Sequence, residues 1–414
     1  MFLSPFIILG VNRSEIILNL DAENPIHNYR CMVKFIKSIS YKALIFFNLL
    51  FGLLFIACCY APEMPPQKWW FMGFLSLFLP YLFFLMFFFL LLWVFIKPKW
   101  SFFPLVVLLF GVFKLSSHYS FTFSTEFNPT NQGAFRVMSW NIRHFIPFYE
   151  TKFKPNKEKQ TQKIFDKINE YSPDVICLQE FISIPSLGNA DPLNYLKERL
   201  GYKYVQFEGE DIFGIKHRSG NAIFSKIPII KSGVIKFPYD VKGQTENMVY
   251  ADLLSGKDTI RVYSLHLKSF GFGDREYKAI EEAKNESDYN IGESKNVLRK
   301  MRNTFRWHGL QSDFVKSNIS SSPYPFILTG DFNDVPTSYA YKTIKGSLQD
   351  VFIERGSGLG ATFISATSSF LRVLPTLRID YIFADQSFST VQFFKGGERI
   401  SDHLFLLADF NRLQ

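Results

Sequence analysis

The chain has 414 residues and a formal net charge of +9, long enough for one large domain with an appendage or for two domains. The charge is spread thinly: residues 1–118 hold nine Lys/Arg against four Asp/Glu, and the rest hold 37 against 33, with no long Lys/Arg tract to follow a phosphate backbone. Four cysteines, Cys31, Cys58, Cys59 and Cys177, form no visible disulfide framework, and no Cys/His spacing fits a zinc site.

At the N-terminus, Phe2 to Val11 is apolar but too short to span a bilayer. It also lacks a preceding basic region, so it makes a poor signal peptide. Met32 opens a more ordinary start, Met-Val-Lys-Phe-Ile-Lys, so translation from Met1 and from Met32 both stay open. Ala43 to Ala61 and Trp69 to Ile96 carry no charged residue. About 20 apolar residues cross a hydrocarbon core, so both are expected to be transmembrane helices. Trp100 to Phe113 lies between Lys99 and Lys114 and reads either as a third span, with Lys114 snorkelling, or as a re-entrant or interfacial segment.

Arg30, Lys34, Lys37 and Lys42 precede the first span, and Lys97 and Lys99 follow the second. The loop Pro62 to Lys68 carries only Lys68, offset by Glu63. The positive-inside rule therefore puts the N-terminus and the Lys97 loop in the cytoplasm. Three spans, at about 43–61, 69–96 and 100–118, place everything after about Tyr119 outside, at the external face of a plasma or inner membrane.

Tyr119 to Ala134 is rich in Ser, Thr and Asn and reads as a linker, leaving 135–414 as the soluble domain. There the patterns predict strands at Phe135–Ile142, Asp174–Leu178, Tyr204–Phe207, Ala222–Phe224, Ile229–Phe237, Met248–Leu253, Thr259–Leu267, Phe326–Thr329, Ile379–Phe383, Thr390–Phe394 and Leu404–Phe410. Helices are predicted at Lys157–Tyr171, Pro192–Leu200, Ser294–Val315 and Ser338–Ile344. Such an order fits two packed sheets flanked by helices. Gly271 to Gly292 interrupts it with a charged loop, either solvated surface or a lid that follows His266.

Six polar clusters stand beside apolar strands: Ser139-Trp140-Asn141, Leu178-Gln179-Glu180, Ser264-Leu265-His266, Gly330-Asp331-Phe332-Asn333-Asp334, Arg378-Ile379-Asp380 and Ser401-Asp402-His403. Together they supply carboxylates, amides and two histidines of the kind that bind a hard divalent cation and a phosphate. In this order, from about residue 134 to 414, they resemble the endonuclease/exonuclease/phosphatase superfamily. The resemblance implies a four-layer α/β/β/α sandwich and Mg²⁺- or Mn²⁺-dependent hydrolysis of a phosphoester.

Attack of water on such an ester builds negative charge on the phosphoryl oxygens and the leaving group, which a carboxylate-held cation can neutralise. Glu180 is the best candidate for the principal metal ligand, a role the resemblance also carries, and Asn141 sits beside it to position the ligand or bond the phosphate. Asp331 is expected to orient the attacking water and accept its proton, with Asn333 holding that water or a phosphate oxygen. His266 and His403 can donate hydrogen bonds to a phosphoryl oxygen.

Asp380 resembles the family carboxylate that orients the last histidine, and Asp402 the second metal-side carboxylate. Asp334 reads as a turn residue and Arg378 as a packing or pairing one. Arg218 to Ser225 resembles the family's central strand, with a phosphate contact open to Arg218 or Asn221.

The leading expectation is a membrane-anchored, metal-dependent phosphoesterase. Its layout resembles superfamily phosphatases that act on polyprenyl pyrophosphate, which points to a lipid-linked phosphate or pyrophosphate as substrate and to the bilayer as a partner. The alternative is an extracytoplasmic nuclease acting on DNA or RNA, expected to show a basic groove. A non-catalytic receptor is disfavoured because the metal and water-activating positions are intact. A transporter is disfavoured because only Lys114 could lie within the spans.

Overall fold

The structure is a computed structural model, and it describes residues 25–122, 127–128, 133–145, 157–212, 217–238, 246–272, 276, 291–364, 376–397 and 400–413. The N-terminal part forms helices α1 (Pro25–Tyr60), α2 (Phe71–Ile96) and α3 (Phe102–Leu115). Three stretches, Ser40–Glu63, Phe71–Ile96 and Pro98–Leu115, are long and apolar enough to cross a membrane. The Trp100–Phe113 run is thus a helix of spanning length once its flanks are included.

The chain divides into two compact units, Met1–Phe55 with Leu82–Leu108, and Ile56–Tyr81 with Leu109–Gln414. The first is held by aromatic packing: Tyr41 meets Trp93 edge-on at 5.7 Å, and Phe55 meets Phe83 at 6.4 Å.

In the second unit the loop between α1 and α2 packs on the soluble domain. Glu63 pairs with Lys342 and, at 3.1 Å, with Lys114. Gln67 donates to Asp313 at 2.8 Å. At Gly73 any side chain would collide with the Phe305 ring, so this close approach requires glycine. The Tyr119–Ala134 segment, expected as a linker, is held at its described positions. Ser120 bridges to Gly358 and donates its hydroxyl to Gly356 O, while Asn128 N donates to Gln392.

The soluble part follows the expected alternation. Its strands are β1 (Phe135–Asn141), β2 (Val175–Ser183), β3 (Tyr204–Phe207), β4 (Glu210–Ile212), β5 (His217–Ser225), β6 (Ile229–Ile235), β7 (Met248–Ser255), β8 (Asp258–His266), β9 (Phe326–Asp331), β10 (Gln349–Asp350), β11 (Asp380–Ala384), β12 (Phe388–Gly396) and β13 (Phe405–Arg412). The helices are α4 (Lys157–Tyr171), α5 (Pro192–Glu198), α6 (Ile291–Ser320), α7 (Tyr339–Lys345) and α8 (Val351–Arg355).

One sheet runs β12-β13-β1-β2-β5-β3 with β4 on β5, and the other β10-β11-β9-β8-β7-β6. Among the described residues each has a single parallel pair, β1–β2 and β8–β9, and its other pairings are antiparallel.

Strand alternation explains the layers. Val137, Val175, Cys177 and Ile223 of the first sheet meet Val249, Val262, Ile327 and Ile382 of the second in the central core. The outer face of the first sheet, with Met138, Trp140, Ile176 and Leu178, packs on Ile164, Phe165 and Ile168 of α4 and Leu196 of α5. The outer face of the second, with Tyr263, Leu265, Leu328 and Phe383, packs on Val315 and Ile319 of α6 and Ile344 of α7. The result is the expected four-layer α/β/β/α sandwich. Cys177 lies in the central core, where burial pushes its thiol up to about 12, so it is chemically inert.

Candidate functional site

In both sheets the parallel strands end at one edge. Strand register then lines up the polar clusters. In the second sheet His266 of β8 lies opposite Asp331 of β9, which lies opposite Asp380 of β11, a row of three across adjacent strands. In the first sheet Asn141 of β1 lies opposite Gln179 of β2, one residue before Glu180. Gln179 joins the sheets by donating to Ser264 Oγ at 2.9 Å. Gly330 is needed just before Asp331: its φ is +142°, and a Cβ there would run into the Leu265 carbonyl of the neighbouring strand.

Asp331 is the hub. Its Oδ2 accepts from Asn141 Nδ2 at 3.0 Å and lies 3.7 Å from both His266 Nε2 and His403 Nε2. Its Oδ1 accepts from the Asn333 backbone at 2.8 Å, and the Asn333 side chain donates to Leu267 O at 3.1 Å. Burial, followed by the like charge of Asp380, raises the Asp331 pKa, against the pull of His403 and His266.

His403 turns its other ring nitrogen to Asp380, at 3.0 and 3.1 Å from the two oxygens. Burial opposes protonation of this ring, but Asp380 and Asp331 outweigh it and lift its pKa well above the usual histidine range. His266 Nε2 is buried and has no hydrogen-bond partner among the described residues.

Glu180 faces the cleft with its side chain about a quarter exposed, at 23%. Asn141 Nδ2 reaches its Oε1 at 3.5 Å, and His144 Nδ1 lies 2.9 Å from its Oε2. Burial would raise its pKa, but His144, then His266 and His403, hold it well below the carboxylate range, so it stays ionised. Asp402 is 3.3 Å from Arg143 Nε, and Ser401 ties this segment to Asn141 O at 2.9 Å. All eight expected residues, Asn141, Glu180, His266, Asp331, Asn333, Asp380, Asp402 and His403, thus join one contact network.

Sequence reasoning missed three contributors. Arg143, His144 and Phe145 have φ of 49°, 51° and 60°, and Glu180 and Asn333 have φ of 50° and 51°. Five non-glycine residues in left-handed backbone, concentrated at this edge, are a mark of a functional site. The turn aims Arg143 at Asp402 and His144 at Glu180. Two basic residues directly after Asn141 were the available signal. His308 of α6 is the third: fully buried, it places Nδ1 3.1 Å from Asp334 and Nε2 2.7 Å from Lys268 O, supporting the loop that leaves His266.

The remaining expectations fall outside the cleft. Asp334, expected as a turn residue, lies in a bend, where it accepts from Val335 N and anchors His308. Arg378 is buried, with Nη1 on Asp350 at 2.8 Å and Nη2 on Ser117 O at 2.7 Å. Asn221 donates to Asn247 O at 2.7 Å, and that oxygen also accepts from the His266 backbone, so it supports His266 from behind. Arg218 is exposed at the start of β5. Most of the Gly271–Gly292 loop lies outside the described residues.

The carboxylates of Glu180, Asp331, Asp380 and Asp402 are hard oxygen donors of the kind that suit a divalent cation. The tightest grouping of metal-ligand types among the described residues is Asp331, Asp380 and His403, with ligating atoms within 4.8 Å. His403, kept protonated by its two carboxylates, is a donor there and a poor ligand. Glu180, ionised and facing the cleft, is a further carboxylate able to hold a cation.

The model of the Endonuclease/Exonuclease/phosphatase family matches residues 138–403, and that of a domain of unknown function matches 41–118. No curated protein matches the chain. Among solved structures, an endonuclease/exonuclease/phosphatase from Beutenbergia cavernae DSM 12333 is 22% identical with a TM-score of 0.47, over 68% of this chain and 72% of that one. The human Nocturnin catalytic domain with bound sulfate is 18% identical with a TM-score of 0.47, over 70% and 96%. D. rerio TDP2 complexed with single-strand DNA product is 19% identical with a TM-score of 0.45, over 68% and 100%. With its six clusters at one sheet edge and two-thirds of its length under the family's model, the chain belongs to the endonuclease/exonuclease/phosphatase family.

Proposed function

We propose that this protein is a membrane-anchored, divalent-metal-dependent phosphoester hydrolase whose catalytic domain works at the extracytoplasmic face on a lipid-linked phosphate or pyrophosphate. The carrying observation is the row His266–Asp331–Asp380 facing Asn141 and Glu180 across one cleft. Glu180, Asn141 and Asp402 would hold Mg²⁺ or Mn²⁺, which when bound neutralises phosphoryl charge.

The chain's own groups account for the rest. Asp331, its pKa raised toward neutrality, accepts a proton from the attacking water while Asn333 helps to hold that water. His403, protonated and fixed by Asp380, donates to a phosphoryl oxygen, and the unpartnered Nε2 of His266 is a second donor.

Membrane attachment rests on the three apolar helices, and the substrate class on how the site adjoins them. Thr337, six residues after Asp331, donates to Ser76 O of α2 at 2.6 Å. Arg378, two before Asp380, donates to Ser117 O just past α3. If α1 and α2 cross the bilayer, the loop bearing Glu63 shares a side with Lys342 and hence with the active site, in agreement with the positive-inside reading. A site held at the surface meets lipid-linked phosphates at raised effective concentration.

The full chain in detergent micelles, supplied with Mg²⁺, is to be offered a polyprenyl diphosphate, a nitrophenyl phosphodiester and single- and double-stranded DNA and RNA. The proposal expects phosphate release from the lipid to exceed the others, and chelation to abolish it. Cleavage of nucleic acid in preference to lipid would overturn the substrate assignment.

A further inference from the structure

We propose that the outward face of α6 is a docking surface for anionic phospholipid headgroups. Lys295, Arg299, Arg302 and Arg306 recur at spacings of four, three and four residues, so they share one face of the helix. All four are exposed. None is neutralised by a carboxylate among the described residues: Arg299 bonds Asn296, Arg302 lies over the Trp70 ring, and Arg306 donates to Gln67 O. Lys300, off this stripe, is by contrast paired with Glu276 at 2.6 Å.

The occupant is identified by where the stripe begins. Trp70 immediately precedes the apolar helix Phe71–Ile96, and Gln67 lies in the short loop before it. Trp69 and Trp70 are 44% and 38% exposed, as suits residues at a bilayer's aqueous boundary. Arg302 and Arg306 therefore stand at headgroup level. The four cations extend about 16 Å along the helix, comparable with the headgroup layer plus one screening length.

Leu298, 55% exposed between these cations, adds the apolar contact typical of interfacial helices. On its inner side the same helix presents Phe305 and His308, which brace the loop leaving His266, so docking would hold the cleft at a fixed height above the lipid. The inference stands independently of the catalytic reading, since it needs only the helix and the adjoining span.

The test uses the full chain in nanodiscs, with Cys31→Ser and an environment-sensitive dye on Asn303→Cys. Asn303 is exposed beside Arg302, and the other three cysteines are buried. Phosphatidylglycerol-rich discs should shift the dye emission to the blue relative to phosphatidylcholine discs, and added salt should reverse the shift. The combined Lys295→Gln, Arg299→Gln, Arg302→Gln and Arg306→Gln variant should lose it. The combined Arg299→Lys, Arg302→Lys and Arg306→Lys variant, which keeps the charge, should retain it and controls for misfolding. Identical emission in both lipids would overturn the proposal. So would a shift produced only by an added DNA duplex, which would assign the stripe to nucleic acid.

Discussion

Asp331 combines almost complete burial with four neighbours that titrate or donate: Asn141, His266, His403 and Asp380. If it is the proton acceptor, Asp331→Asn should lower kcat by about 10²–10⁴-fold with the fold intact by circular dichroism. Its pKa is raised, so as pH falls the base form is lost sooner than for an exposed aspartate of pKa about 3.9. The acid limb of kcat/KM should accordingly lie above that value, and a profile flat down to pH about 4 would exclude Asp331 as the base. Arg378 tests structure instead. Arg378→Ala leaves Asp350 buried without its counter-charge and should cost about 3–5 kcal/mol in denaturant unfolding. Asp331 was legible because it ends a buried strand in a polar run. His308 was not, because its partner Asp334 lies 26 positions away and neither residue has a local pattern that points to the other.

At the scale of elements, the two parallel pairs β1–β2 and β8–β9 put strand ends, and hence the polar clusters, on one edge. The β8–β9 approach depends on Gly330, so Gly330→Ala should destabilise the domain by about 2 kcal/mol or more, read by thermal unfolding, because it forces both a disfavoured φ and a clash. The long strands and helices were legible from their periodicity: Lys157–Tyr171 and Tyr204–Phe207 fall where the sequence put them. The short β4 and β10, with three and two residues, lie below the length at which alternation can be seen. The left-handed turn Arg143–Phe145 was hidden for another reason. Arg143 and Phe145 are not residues that favour positive φ, and Arg143 and His144 are held by partners distant in sequence, Asp402 and Glu180.

For the whole molecule, the apolar helices and the domain that follows them are tied together by specific contacts. The ends of the apolar helices, before the expected linker Tyr119–Ala134, pack within the second unit through Gly73–Phe305, Ser76–Thr337 and Ser117–Arg378. Residues 119–414 alone should therefore melt lower than the full chain in the same detergent, and equal melting temperatures would show these contacts to be dispensable. Under the three-span topology, cysteines introduced at Lys99 and Asn128 should be labelled from opposite sides of sealed vesicles.

Glu180 and its neighbours are proposed to form a cation-dependent hydrolytic centre. Its most direct test is the Mg²⁺ dependence of lipid diphosphate hydrolysis by the full chain, wild type against Glu180→Gln. Wild-type turnover should vanish on chelation and return with Mg²⁺. Glu180→Gln should be slower and require more Mg²⁺ for half-maximal rate. Hydrolysis that survives chelation, or a Glu180→Gln enzyme with wild-type Mg²⁺ dependence, would contradict that proposal.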